Sequence, residues 1–273
     1  GDERQMNDPY KHIRAYRVEW LQLLLDWCIL LPILQINRLR TTTSLSLRYL
    51  TQRKAIEQDI RRGAVFMTNH RDIVLDSAYL SLLLRMRYNL RPYIGIGNNL
   101  FGRWWIEPLV RSCRCFIVIR NGTPKELLAH SKTMSAYIND LRRKGKSIWI
   151  AQREGRSKDG NDVTQPAVLK MLTIGADKSV LDAVKALNIC PVSISYQQDP
   201  CDYLKAIEAL CKRNDPNWKK TKEDDVFSMK TGINDPKGKV VFCMTPSINH
   251  WIAAHEEHLQ TLNKNDLLER SEE

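Results

Sequence analysis

VFMTNHRDIVLDSAYLSLLL, residues 65–84, decides how the rest of the chain is read. With Ala64 before it, the opening "VFMT" is short and apolar and reads as a buried strand. From Ile73 the spacing of apolar positions predicts an amphipathic helix to about Arg87. Between the two sit Asn69, His70, Arg71 and Asp72, all polar, and Asp76 then interrupts the apolar run. A strand handed directly to a helix is the first half of a crossover unit.

The same alternation recurs along the 273 residues. "PYIGIG" (92–97), "CFIVI" (115–119), "SIWIA" (147–151), "ICPVSIS" (189–195) and "KVVFCMT" (239–245) read as further strands. Helices are expected at 101–112 and 123–146, the second with Thr123 as N-cap, Pro124 in its first turn and a basic end. Residues 44–62 read as a polar connecting helix, 214–238 as a charged, loop-rich insertion, and a last polar helix starts near His250. The expected fold class is α/β: a largely parallel mixed sheet flanked by helices. Three stretches are expected: an N-terminal helical, membrane-associating segment (1–60), the α/β domain (61–250) and a C-terminal polar helix (251–273).

Net charge is +11, which favours an anionic partner: phosphate groups, nucleic acid or acidic headgroups. Nucleic acid is not expected as the partner. Basic and aromatic residues are not interleaved on one strand face, and no zinc-finger or helix-turn-helix spacing occurs. Seven cysteines without ligand spacing read as reduced, mostly buried thiols. His255 and His258 share a helix face but lack a third ligand, so no metal site is expected. Residues 18–36 approach the ~20 apolar residues that span a bilayer. Glu19, Gln22, Asp26 and Gln35 interrupt them, and Pro32 is expected to kink or end the helix. Lys11, Arg14 and Arg17 precede it, Arg38 and Arg40 follow, and Trp20 and Trp27 suit the headgroup level. A helix lying in the membrane surface is the expectation, against an ordinary amphipathic helix packed on the domain.

In open α/β sheets ligands bind beyond the carboxyl ends of the strands. His70 follows the first strand of that set, Arg120 ends the third, and "QREGRSKDG" (152–160) follows the fourth. A histidine is a general base near neutral pH, normally oriented by a carboxylate. Asp72 and Asp76 compete for that task. With Asp72 capping the helix, Asp76 just past its first turn leans back toward His70, which favours Asp76 as partner and keeps Asp72 as the alternative. Arg153, Arg156 and Lys158 form a basic cluster, and arginine forks match phosphate oxygens.

Together these residues resemble the glycerolipid acyltransferases, typified by 1-acylglycerol-3-phosphate acyltransferase. The family's first motif is Asn-His, four residues, then Asp. "NHRDIVLD" is similar, with five residues between His70 and Asp76. "CFIVIRNG" resembles the second motif through Phe116 and Arg120, and "REGRS" resembles Glu-Gly-Thr-Arg-Ser with the threonine missing. "ICPVSI" is similar to the fourth through Pro191. The motifs stand in family order over roughly residues 60–200.

The resemblance implies acyl transfer from acyl-CoA or acyl carrier protein to the hydroxyl of a lysophospholipid. It implies no cofactor beyond that co-substrate. His70 aligned by Asp76 would be the base, and Arg120 and Arg156, with Lys158, would hold the acceptor's phosphate. Glu154, with Gly155 and Ser157 of the same motif, would complete the acceptor site. Backbone N–H groups near 190–193 would meet the oxyanion. A glycerol-3-phosphate-acyltransferase-like fold on the cytoplasmic face of a membrane, peripheral or monotopic, is the resulting expectation.

Overall fold

The computed structural model describes residues 8–16, 19–101, 104–176, 178–262 and 266, without the side chains of Glu19, Leu21 and Trp27. The flanking role expected of Arg17, the Trp27 side chain and the end of the terminal helix lie outside the described residues.

The chain runs through helix α1 (Glu19–Leu25), a π-helical stretch (Asp26–Leu30) and α2 (Leu31–Thr41) without a break. The helix does not end at Pro32. Pro32 falls in the first turn of α2, where a missing N–H is tolerated, and the wider π register lies directly before it. Strand β1 (Thr42–Tyr49) and helix α3 (Arg53–Arg61) then occupy the stretch expected to be one polar helix. β2 (Val65–Thr68), α4 (Leu75–Tyr88), β3 (Tyr93–Gly97), α5 (Ile106–Ser112) and β4 (Cys115–Val118) follow. Next come α6 (Pro124–Arg143), β5 (Ile148–Ala151), α7 (Pro166–Thr173), α8 (Val180–Leu187) and β6 (Ile189–Tyr196). The expected loop-rich insertion carries helix α10 (Lys222–Asn234), preceded by α9 (Asp202–Asn214). β7 (Gly238–Met244) completes the sheet, and two short helices, α11 (Ile248–Ala254) and α12 (Glu256–Thr261), replace the single terminal helix.

Among the described residues seven strands order as β1-β7-β6-β2-β5-β3-β4. β6, β2, β5, β3 and β4 are mutually parallel, and β7 runs antiparallel to β6 and parallel to β1. The sheet is therefore largely parallel and mixed, as the alternation of elements requires. Central strands of such a sheet are covered on both faces, and all four residues of β2 are buried. Val65 and Met67 face one core, built on Ile138 of α6 and Leu172 of α7. Phe66 faces the other, with Ile56 and Ile60 of α3 and Tyr79 of α4. Thr123 and Glu126 form the capping box that starts α6. All seven cysteines are free thiols, and burial raises Cys113 to about 11 and Cys190 to about 12.

Candidate active site

The parallel strands bring their carboxyl ends to one side of the sheet, and the chemistry collects there. Asn69 locks the joint after β2. Its Oδ1 accepts the Ile194 N–H at 2.7 Å and its Nδ2 donates to the Ile194 carbonyl at 3.0 Å, so a side chain continues the ladder to β6. His70 is thereby fixed two residues beyond the end of β2, and its own carbonyl accepts the Ser157 N–H at 3.1 Å.

His70 Nδ1 lies 3.0 Å from Asp76 Oδ2. The same carboxylate oxygen accepts the backbone N–H of Arg71 at 2.6 Å and of Asp72 at 3.0 Å. The other oxygen accepts the Tyr196 hydroxyl at 2.9 Å. Four donor groups converge on this one buried carboxyl group, an arrangement in which the imidazole turns Nδ1–H toward Asp76. Nε2 then carries the lone pair. The Trp149 ring meets the imidazole edge-on at 6.0 Å. Burial, and next the Asp76 charge, push the Tyr196 phenol well above its ordinary value, so it stays a donor. The five residues between histidine and aspartate curl so that two of their own N–H groups, those of Arg71 and Asp72, point at the carboxylate.

Asp72 does something different. Its Oδ1 accepts the N–H of Val74 at 2.9 Å and of Leu75 at 2.7 Å, which caps α4. Its carboxylate lies against Gly232, where a Cβ would collide with it. Burial, and next the Asp76 charge, push the Asp72 carboxyl above its ordinary value, with Arg156 acting in the opposite sense. A raised folded pKa means the folded state holds this proton longer than the unfolded chain. The stability it contributes is full below the unfolded carboxyl range and is lost as pH rises through the folded value. Asp72→Asn keeps the capping oxygen and cannot ionise. Its melting temperature should exceed that of the wild type at pH 7, with the difference closing toward acid; an equal gap at every pH would contradict this.

His70, Arg120, Glu154, Gly155, Arg156 and Lys158 line a single cavity of about 930 Å³. Ser157 is buried beside it and bonds the Asn161 carbonyl at 3.1 Å. Asp72 and Asp76 stand behind the histidine and do not line the cavity. The Arg120 N–H donates to Asn98 Oδ1 at 3.1 Å, its guanidinium passes over Gly97, and its Nη1 is 3.9 Å from Glu154 Oε1. Arg156 is 6 % exposed, and its Nη1 is buried with no hydrogen-bond partner among the described residues. Such an orphan donor costs free energy until an acceptor arrives. Gly155 adopts φ +71°, a conformation that a side chain would strain, and it turns the loop between Glu154 and Arg156. Leu34, Val74, Ala78, Leu82, Ile94 and Ile96 give the cavity apolar walls. It also reaches Asp26 and Arg91, which pair at 2.9 Å.

The sequence reading missed two contributors to this cavity, Glu208 on α9 and Lys220 before α10. Lys158 pairs with Glu208 at 2.8 Å, and Lys212 and Lys220 reach it at 3.1 and 3.8 Å. Burial pushes Glu208 up, but the lysines outweigh it and hold the carboxyl below its ordinary value. The expected oxyanion donors are not where they were placed. Residues 190–192 lie inside β6, in register with Phe66–Thr68 of β2, and Pro191 has no N–H to offer.

A family model for acyltransferases matches residues 47–195, more than half of the chain. The chain belongs to the acyltransferase family. This is the family of the 1-acylglycerol-3-phosphate acyltransferases. The match begins in β1 and ends in β6, so it takes in the acyltransferase's strand-to-helix joint, Arg120 and the loop from Glu154 to Lys158. No curated protein matches the chain.

Proposed function

We propose that this acyltransferase moves a fatty acyl group from acyl-CoA or acyl carrier protein to a lysophospholipid hydroxyl. The preferred acceptor is 1-acylglycerol 3-phosphate, and the product is phosphatidate. One observation carries the reading. A histidine oriented by a buried carboxylate and a buried arginine with an unpartnered Nη1 line the same apolar-walled cavity. That combination suits an acceptor with a hydroxyl, an anionic headgroup and a hydrocarbon chain.

In this mechanism His70 Nε2 takes the proton from the acceptor hydroxyl as its oxygen attacks the thioester carbonyl carbon. Asp76 stabilises the imidazolium that forms. Collapse of the tetrahedral intermediate breaks the carbon–sulfur bond, and the imidazolium returns the proton to the leaving thiolate. Arg156 and Arg120, with Lys158, hold the phosphate, and Glu154 orients Arg120. Gly155 and Ser157 shape the loop that presents them.

The enzyme works on the cytoplasmic face of a membrane. By length and composition the helix Gln22–Thr41 could cross one. Its attachments favour a position in the surface instead. Asp26 pairs with Arg91, Asn37 donates to the Ile233 carbonyl at 2.7 Å, and Tyr79 donates to Asn37 at 2.6 Å.

The test is transfer of labelled acyl groups from each donor to 1-acylglycerol 3-phosphate, glycerol 3-phosphate, a headgroup-capped lysolipid and neutral monoacylglycerol. The phosphomonoester lysolipid should be used best. Arg156→Gln should raise its KM by about 10–100-fold, the value of a lost charge-assisted hydrogen bond. Equal use of monoacylglycerol, with no effect of Arg156→Gln, would sink the acceptor assignment.

A further inference from the structure

Helices α9 and α10 are built inside out. Charged residues are seldom fully buried, and apolar residues normally face the core. On α9 the buried side chains are Lys205 and Glu208, while Tyr203, Ile207 and Leu210 are 51–54 % exposed. Those three stand at i, i+4 and i+7, on one helical face. On α10 the buried residues are Ser228, Thr231 and Gly232, while Val226 and Phe227 point outward at 45 % and 52 % exposed. The buried charges are all engaged. Lys205 pairs with Asp199 and donates to the Arg71 carbonyl at 2.9 Å, and Glu208 is held by three lysines. The polar side of α9 is thus committed to the catalytic loop and the cavity, which leaves its apolar side outward. Water does not favour that arrangement, and contiguous outward apolar surface marks a contact.

We infer that the outward faces of α9 and α10 are a second membrane-contact surface that rests on the hydrocarbon–headgroup boundary of an anionic bilayer. This rests on the lipid-acceptor reading above, and three observations point to lipid as the occupant. Helix α10 packs against the helical run 19–41, where Asn37 of α2 donates to the Ile233 carbonyl. That run is itself outwardly apolar at Trp20, Leu24, Ile33 and Leu39. Met229 of α10 and Ile33 of α2 both line the candidate active-site cavity, so both helices border it. The chain's net charge of +11 suits acidic headgroups; on these two helices exposed Lys212, Arg213, Lys222 and Lys230 stand beside exposed Asp202, Glu223 and Asp224, so the attraction rests on the whole chain's charge. A lysolipid leaving the bilayer between the two surfaces would stay in an apolar environment up to the cavity.

The test is flotation of the full-length enzyme with phosphatidylglycerol/phosphatidylcholine vesicles. Ile207→Asp/Leu210→Asp should weaken binding by about tenfold or more, and Ile207→Ala/Leu210→Ala by an intermediate amount, because burying one such side chain accounts for about a tenfold effect. Lys125→Asp, which removes the same two units of charge far along the chain, should bind nearly as the wild type does. Both doubles should keep the wild-type melting temperature, since the side chains touch no core, and should keep turnover of a water-soluble short-chain lysolipid. Unchanged vesicle binding in both doubles would overturn the inference. So would an equal loss in Lys125→Asp. A wild-type dimer that the doubles dissociate, with vesicle binding intact, would assign the surface to self-association instead. Absence of acyl transfer in a wild type that binds vesicles through Ile207 and Leu210 would count against the catalytic reading and not against this one.

Discussion

His70→Ala should leave a folded enzyme that binds its acceptor and scarcely turns over. General-base catalysis by a positioned side chain is worth about 10²–10⁴-fold, and kcat should fall by that much while KM for the acceptor changes little. The imidazole bonds Asp76 and meets the Trp149 ring, and it belongs to neither hydrophobic core. Its burial comes from the loop and from Trp149, and the joint is held instead by Asn69 and by the capping of α4. Thermal unfolding of His70→Ala should therefore stay near the wild-type midpoint. Labelled acyl transfer under single-turnover conditions reads the chemical step directly. Transfer at an undiminished rate would remove His70 from the mechanism and return the family's chemistry to another group in the cavity.

The second large effect separates the two aspartates. Asp76→Asn keeps one acceptor oxygen, which three donors compete for at the Oδ2 position, and the new amide then faces Tyr196, whose oxygen accepts from it. The imidazole keeps its orientation and loses the charge that stabilises its protonated form. A fall in kcat of about 10²–10⁴-fold is expected, in line with the loss of an orienting carboxylate elsewhere. Asp72→Asn should retain most of the activity, because Asp72 faces the start of α4 and Gly232, away from the imidazole. Full activity in Asp76→Asn with its loss in Asp72→Asn would exchange the two roles.

The joint at residues 65–84 was legible because its signals are local. Four apolar residues, a polar break and a 3.6-residue periodicity all fall within one short window, and the helix cap sits inside it. The same holds for Arg120 and the loop from Glu154 to Lys158, which follow short apolar strands directly. Strand β1 was missed although "TTSLSLRY" alternates polar and apolar residues as a strand does, because its apolar members are few and it lies at the sheet's edge, where among its residues only Leu47 is buried. An edge strand of Ser, Thr and Arg carries little hydrophobic signature. Helices α7 and α8, at eight residues each, are too short for periodicity to mark. Tyr196 stands 120 residues from the aspartate it bonds, and Glu208 and Lys220 lie on a segment without any motif. Their place in the site is a product of topology, since β6 and the helices after it return to the same end of the sheet as β2 and β5.

The ion pair between Asp26 and Arg91 has a mechanical meaning. Asp26 opens the π-helical stretch of the N-terminal run, and Arg91 stands two residues before β3, whose far end lies beside the arginine that follows β4. On the membrane reading, one partner rides with the anchor and the other with the sheet. Pulling the helix deeper into lipid would strand a charge in hydrocarbon unless Arg91 followed, at a cost of several kcal/mol. Immersion depth and the height of His70 above the bilayer are then a single coordinate. On that reading the pair would act as a depth stop, setting how far a lipid hydroxyl has to rise to meet the imidazole.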